Sequence, residues 1–281
     1  MTNSHILKIS TRFFDLDSQR HVNNASFLSL FREGQIACLA NAGYDLNFLN
    51  KHDIYLKPDI IHIIFLRQQL SQTGLEVHTN VHSRNKKIYW NQEIYNPDAK
   101  EIAVKLYTVF NEKKNVLDKL PEAENRQSES LLDWDILNDF SGSCQQSVMN
   151  YSIRHIDLDG FNQCSDLVLW RLNEEARWNF LKEINLPLLK LIDQDISLFW
   201  ISGVCHYFSD IQLYDQVQVF TWISNVSGAR IYIRQEIIKN KSERVLRVEG
   251  EFLTVSLSRT KPTRIPGFLY NAMKPYMEKL Q

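Results

Sequence analysis

The sequence predicts an α+β fold built twice, as two copies of one domain in tandem, each an antiparallel sheet curled around one long helix. Three observations carry this. The chain repeats itself at a shift of 142 positions: Asp15-Leu16-Asp17 returns as Asp157-Leu158-Asp159, and the same shift sets Arg12 on Arg154, Leu30 on Leu172, Glu33 on Glu175, Leu39 on Leu181 and Thr79 on Thr221. One residue later in register, KIYWNQEI from Lys87 aligns with RIYIRQEI from Arg230. Self-similarity at a fixed period marks one supersecondary unit used repeatedly. In each copy, moreover, a helical run is followed by a meander of strand-like runs, and an apolar helix facing a half-apolar sheet buries both faces when the sheet wraps it. Finally, 281 residues accommodate two domains of the usual size of about 100 to 150 residues.

The elements follow in order. Residues 6–14 and 148–156 read as short opening strands, each followed by the double-aspartate loop. A helix is expected over 25–42, where Phe27, Leu30, Phe31, Gly34 and Cys38 fall at helical spacing. Asn24 is its expected N-cap and Gly43 its stop. The corresponding helix covers 167–184. Strands are expected over 59–66, 75–81, 87–95 and 101–111 in the first copy and over 203–209, 216–224, 230–239 and 244–256 in the second. Asn96-Pro97-Asp98 and Lys239-Asn240-Lys241 supply turns between them. These runs divide the chain into a first domain (1–118), a polar linker with an apolar middle and a short helix (119–147), and a second domain (148–281) ending in an amphipathic helix over 267–281. A single copy leaves sheet edges unpaired, so the two are expected to join as an internal pseudo-dimer with one continuous sheet. Further homo-oligomers remain open.

Composition narrows the function classes. A formal net charge of −1 offers nucleic acid no overall attraction. No run approaches the roughly 20 apolar residues of a membrane span, and the first residues carry no signal-peptide core. The four cysteines, Cys38, Cys144, Cys164 and Cys205, show no ligand spacing and read as reduced thiols of a cytoplasmic protein. No metal cluster or glycine-rich phosphate loop is visible, so no cofactor is expected. His78 and His82 share a strand face but lack a third ligand.

The two copies diverge at one place: DLDSQRHVNN, from Asp15, stands opposite DLDGFNQCSD, from Asp157. The run from Arg12 to Leu39, with Phe14, Asp15, Asp17, His21, Val22, Asn23, Asn24, Phe27 and Glu33 in pattern, resembles the hot-dog thioesterases of the 4-hydroxybenzoyl-CoA and acyl-ACP thioesterase branch. The resemblance covers the first copy well and the second weakly. It implies a tandem (double) hot-dog fold and hydrolysis of acyl-CoA or acyl-carrier-protein thioesters in fatty acid metabolism. It also implies an active site at the helix start, between two hot-dog units. Orphan N–H groups and the positive end of the helix there stabilise a developing oxyanion, and a carboxylate beside them serves as base or nucleophile.

Carried over residue by residue, the resemblance makes Asp17 the catalytic carboxylate and His21 its histidine. Gln19 stands where the acyl-ACP branch has an asparagine. Gln68 stands nearest to the position of a glutamate from a following strand, and it cannot act as a base. Asn23 either caps the helix or positions water; Asn24 and Phe27 are expected at the substrate, Phe27 with Leu30 and Phe31 along an acyl tunnel. Asp15 is read as closing the loop and Glu33, repeated as Glu175, as structural. Asp159, without its partners, is read as vestigial. Asp210 aligns with Gln68 and is read as a solvated strand residue. Arg67, Arg84, Lys86, Lys87, Arg230, Arg234, Arg244 and Arg247 are the cations from which a patch for CoA phosphates or an acidic carrier would come. The alternative is a hot-dog module that binds acyl thioesters without hydrolysing them, suggested by the altered second motif and by Gln68.

Overall fold

The computed structural model describes residues 4–84, 86–111, 117, 120, 139–140 and 142–279. The chain forms two compact units, Met1–Ile136 and Leu137–Gln281. In the first, β1 (Ser4–Ser10) is followed by α1 (Asn24–Asn41), α2 (Leu46–Lys51) and β2 (Ile60–Phe65). Then come β3 (Gly74–Arg84), β4 (Lys87–Asn96) and β5 (Glu101–Asn111). The strands pair antiparallel in the order β1-β3-β4-β5-β2. The second unit repeats this with β6 (Ser147–Ser152), α3 (Asp166–Glu183), α4 (Leu188–Asp193), β7 (Ile196–Tyr207), β8 (Gln216–Ser227), β9 (Arg230–Lys239) and β10 (Glu243–Ser256). Its order β6-β8-β9-β10-β7 matches the first strand for strand, with a short β11 (Lys261–Pro262) added on β10.

The 142-residue shift holds at the level of elements: α1 and α3 coincide under it over 18 residues each, as do α2 and α4 over six. In the first unit the helix buries Phe27, Leu28, Leu30, Phe31 and Leu39, which is why its apolar residues occupy more than a single stripe. Gly43 ends α1 in a left-handed conformation, φ 90°, and its N–H donates to the carbonyl of Ala40, the role for which glycine needs no Cβ accommodation.

Four expectations are corrected. The opening strands stop at Ser10 and Ser152, because Phe13–Asp15 and His155–Asp157 form single 3-10 turns. The N-cap of α1 is Asn23, whose side chain accepts the N–H of Ala25, and Asn24 is the first helical residue. β7 begins at Ile196, seven residues before the expected 203. In the first unit the matching stretch carries Pro58, which has no N–H for a ladder, and Leu56 with φ 51°; the second unit has Trp200 in place of Pro58 and the strand runs on. The last helix, α5 (Gly267–Met273), gives way to a 3-10 turn at Lys274–Tyr276 containing Pro275. The apolar middle of the expected linker, with its short helix, lies outside the described residues.

Beyond α5 the chain laces the second unit together. Ile223 and Met277 form a parallel bridge, and the Glu278 N–H donates to the carbonyl of Ile223. The Glu278 carboxylate accepts from Trp222 Nε1 at 2.9 Å. Pro275 O receives the N–H of Gln145, and Tyr276 donates to Glu183 at the end of α3.

Candidate active site

The double-aspartate loop is a folding device first. Asp15 is buried, and its carboxylate accepts the Arg12 backbone N–H at 2.7 Å and the Arg12 guanidinium at 2.8 Å. Burial acts to raise its pKa, but the hydrogen bonds and charge of Arg12 outweigh it and hold the carboxyl below its ordinary value. Two residues on, Asp17 Oδ1 accepts the N–H groups of Gln19 (2.8 Å) and His21 (3.1 Å). The Asp17 N–H donates to the carbonyl of His21, and Arg20 closes the turn in the left-handed region, φ 66°. The Asn23 N–H returns to the carbonyl of Asp15 at 2.7 Å, so the loop delivers the chain to the start of α1.

The second unit builds the same loop. Asp157 closes its turn against the Arg154 N–H, and Asp159 Oδ1 accepts from Phe161 (2.9 Å) and Gln163 (3.2 Å). Asn162, φ 58°, stands where Arg20 does. The repeat of Asp-Leu-Asp is therefore explained by the loop that both copies fold. The chemistry that separates the units lies in the side chains mounted on it.

In the first unit Asp17 is half-buried, and its Oδ2 has no hydrogen-bond partner among the described residues; the same holds for the half-buried imidazole of His21. The backbone N–H of Asn24 likewise reaches no acceptor among them, and the first turn of α1 holds no acidic residue. An orphan N–H at the positive end of an 18-residue helix is suited to a developing oxyanion. The second unit replaces His21 by Gln163, and Asp166 occupies the first turn of α3. A carboxylate there already answers the helix dipole and repels a second negative charge. Asp166 was missed in the sequence reading, although an acid in a helix's first turn is legible there.

Gln19 is half-buried and enters the turn through its backbone. Gln68 is exposed, three residues beyond the end of β2 and off any strand. Its neighbour Gln69 holds the loop: the Gln69 carbonyl accepts the Val22 N–H at 2.8 Å, and its buried side chain receives Asn96 Nδ2 at 2.7 Å. Phe27 is buried, with its ring centroid 6.0 Å from that of Phe65. Asp210 is exposed and its carbonyl accepts from Lys239. Most of the arginines considered for a cationic patch are paired: Arg67 with Glu101, Arg230 with Glu251, Arg234 with Glu249, and Arg244 and Arg247 with Glu236. His78 is bonded to Glu76 and His82 stacks on Tyr89. No group of metal-ligating side chains occurs among the described residues, nor any helix long and apolar enough to cross a membrane.

Asn23 gives a direct test of local design. Ser165 caps α3 at the equivalent position, its hydroxyl accepting the Val168 N–H. Asn23→Ala is expected to lower stability by about 1 kcal/mol in urea unfolding, and Asn23→Ser to recover most of that loss. A catalytic contribution of the amide would appear as reduced kcat in a fully stable Asn23→Ser variant.

Comparison with known proteins agrees with this architecture. Residues 1–111 match the family model described as the acyl-ACP thioesterase C-terminal domain, and residues 153–273 match the thioesterase-like superfamily. No curated protein sequence matches the chain significantly. Among solved structures, one assigned as an oleoyl thioesterase of Lactobacillus plantarum superposes with a TM-score of 0.74 at 8% identity, covering 94% of this chain and 98% of that one. The 12:0-ACP thioesterase of Umbellularia californica gives 0.70 at 12% identity, over 89% and 94%. An acyl-ACP thioesterase of Bacteroides thetaiotaomicron gives 0.64 at 13% identity, over 89% and 98%. At these identities the superpositions establish a shared fold.

Proposed function

Since the chain has the tandem hot-dog fold and each unit matches a thioesterase family model, we propose that it is a thioester hydrolase working through one active site, centred on Asp17 in the first unit. The observation that carries this is the contrast between two loops that fold alike and differ in side chains. Both present an aspartate, but only the first sets beside it an imidazole and a helix start free of negative charge. In the reaction proposed, Asp17 Oδ2 takes a proton from water as the water oxygen attacks the thioester carbon. The carbonyl oxygen becomes an oxyanion facing the Asn24 N–H. The C–S bond then breaks, and the thiolate takes up the proton that Asp17 received from water, passed on through His21, giving free acid and thiol and restoring the aspartate. The two N–H groups on Asp17 Oδ1 hold the carboxylate to the turn through that oxygen and leave Oδ2 for the proton. Gln68 is assigned no base role, because an amide accepts no proton at neutral pH.

For the carrier we propose acyl carrier protein rather than coenzyme A alone, supported by the family model that the first unit matches. Thiol release from matched acyl-ACP and acyl-CoA substrates of several chain lengths tests both points. Faster turnover of the ACP thioester supports the assignment. Equal rates would remove the carrier preference, and binding without thiol release would make the protein a non-hydrolytic acyl-thioester module.

A further inference from the structure

The second unit contains a buried cation that its fold does not require. In the first unit a neutral cluster ties the central helix to the sheet. Gln35 Nε2 donates to Gln92 Oε1 (2.8 Å), and Gln92 Nε2 donates to the carbonyl of Phe31 (2.9 Å) and to Thr79 Oγ1 (3.0 Å). The second unit reproduces each bond. Arg177 Nη1 donates to Gln235 Oε1 (2.9 Å), and Gln235 Nε2 donates to the carbonyl of Asn173 (2.8 Å) and to Thr221 Oγ1 (3.1 Å). Arginine thus stands where glutamine suffices, and Asn173 stands where the first unit has Phe31.

One replacement brings a charge into the interior, and the other leaves a buried side-chain atom without a partner. Arg177 pairs with no carboxylate among the described residues, and Nη1 alone of its nitrogens has an acceptor there. Its guanidinium lies against aromatic faces instead, 4.8 Å from the Trp200 ring and 5.3 Å from that of Phe252. Burial draws its pKa down to about 10, so it stays protonated at neutral pH. One turn earlier on the same buried helix face, Asn173 donates to the carbonyl of Leu169, and its Oδ1 is buried without a partner. A buried charge that feels Glu174 but touches no carboxylate among the described residues, and a buried acceptor without a donor, are each unfavourable. With 8% of its surface accessible, Arg177 is not sealed off.

We propose that Arg177 and Asn173 form a receptor for the carboxyl group of an aliphatic acid, held against the Trp200 and Phe252 rings. The guanidinium donates to the carboxyl oxygens, Asn173 Oδ1 takes the proton of an acid that retains one, and the chain runs past the aromatic cluster on which the guanidinium rests. An inorganic anion has no apolar part to match those rings. The choice of ligand rests on the proposed hydrolysis, which releases such an acid; a carboxyl at the far end of an acyl chain has the same chemistry.

Calorimetric titration of the full chain with decanoate, with decanol as control, tests this directly. Wild type is expected to bind decanoate, and Arg177→Gln to weaken that binding by at least about tenfold while keeping an equal or higher Tm, since Gln35 fills the same place in the first unit. Decanol is expected to show no difference between the two proteins. Should Arg177→Gln fail to fold, Asn173→Leu takes its place, with weaker decanoate binding expected. Hydrolysis of an ω-carboxyacyl thioester beside the plain acyl thioester separates the sources. A loss in Arg177→Gln confined to the ω-carboxy substrate identifies the far end of the acyl chain, and unchanged rates on both identify the free acid. Absent decanoate binding by wild type, or equal binding by wild type and the folded variant, would overturn the proposal. Decanoate bound through Arg177 by a protein that releases no thiol would leave this inference standing and sink the hydrolytic one.

Discussion

Asp17→Asn is expected to reduce kcat by at least about a hundredfold, with Tm nearly unchanged. The asparagine side-chain oxygen still accepts the Gln19 and His21 N–H groups that now reach Asp17 Oδ1, so the turn survives. What disappears is the capacity of the second oxygen to take a proton. Asp17→Ala is the poorer experiment, because it removes the turn and the base together. The paired control is Asp159→Asn, which makes the matching change in the matching loop and is expected to leave turnover close to wild type. Equal losses from the two variants would mean two working sites and refute the asymmetry between the units.

Phe27→Ala is expected to have the largest effect on stability and to change selectivity as well. The side chain is 2% exposed and packs by Phe65, so truncation is expected to cost about 3–5 kcal/mol. If the ring also walls the acyl tunnel, kcat/KM should shift towards longer chains. The shift should stay within about 10- to 200-fold, since pocket walls discriminate by a few kcal/mol at most. Relative kcat/KM on short and long acyl thioesters, measured with the urea midpoint, separates the roles. Lost stability with an unaltered chain-length profile would confine Phe27 to the core.

The sequence carried the repeat, the helix ends and the strand meander plainly, because each is written in local signals. Gly43 stops α1 and the Asn96 side chain closes its turn on the N–H groups of Asp98 and Ala99. The loop was harder. Asp15 and Asp17 look alike in a motif, yet one is buried against Arg12 and the other is shared between a turn and an open face. That division depends on which oxygens the backbone reaches, and spacing alone does not reveal it. The early start of β7 was missed because the cause is the lack of a breaker at Trp200, where the first unit has Pro58. Arg177 was invisible for another reason: an arginine on a helix reads as solvent-facing until the sheet on the other side is known.

The lacing of the second unit by its last residues has a bearing on how the protein is made. Met277 and Glu278 pair with Ile223, and Tyr276 holds the end of α3. On the ribosome the sheet of the first unit can form once β5 has emerged, since the five strands and two helices among its described residues precede residue 112. The second unit has no such freedom. Its sheet and helix are synthesised first, but the contacts that staple them wait for residues 276–278, so until those emerge it is assembled in outline and unsecured. Emergence of the last strand is then not the event that completes the second unit; arrival of residues 276–278 is.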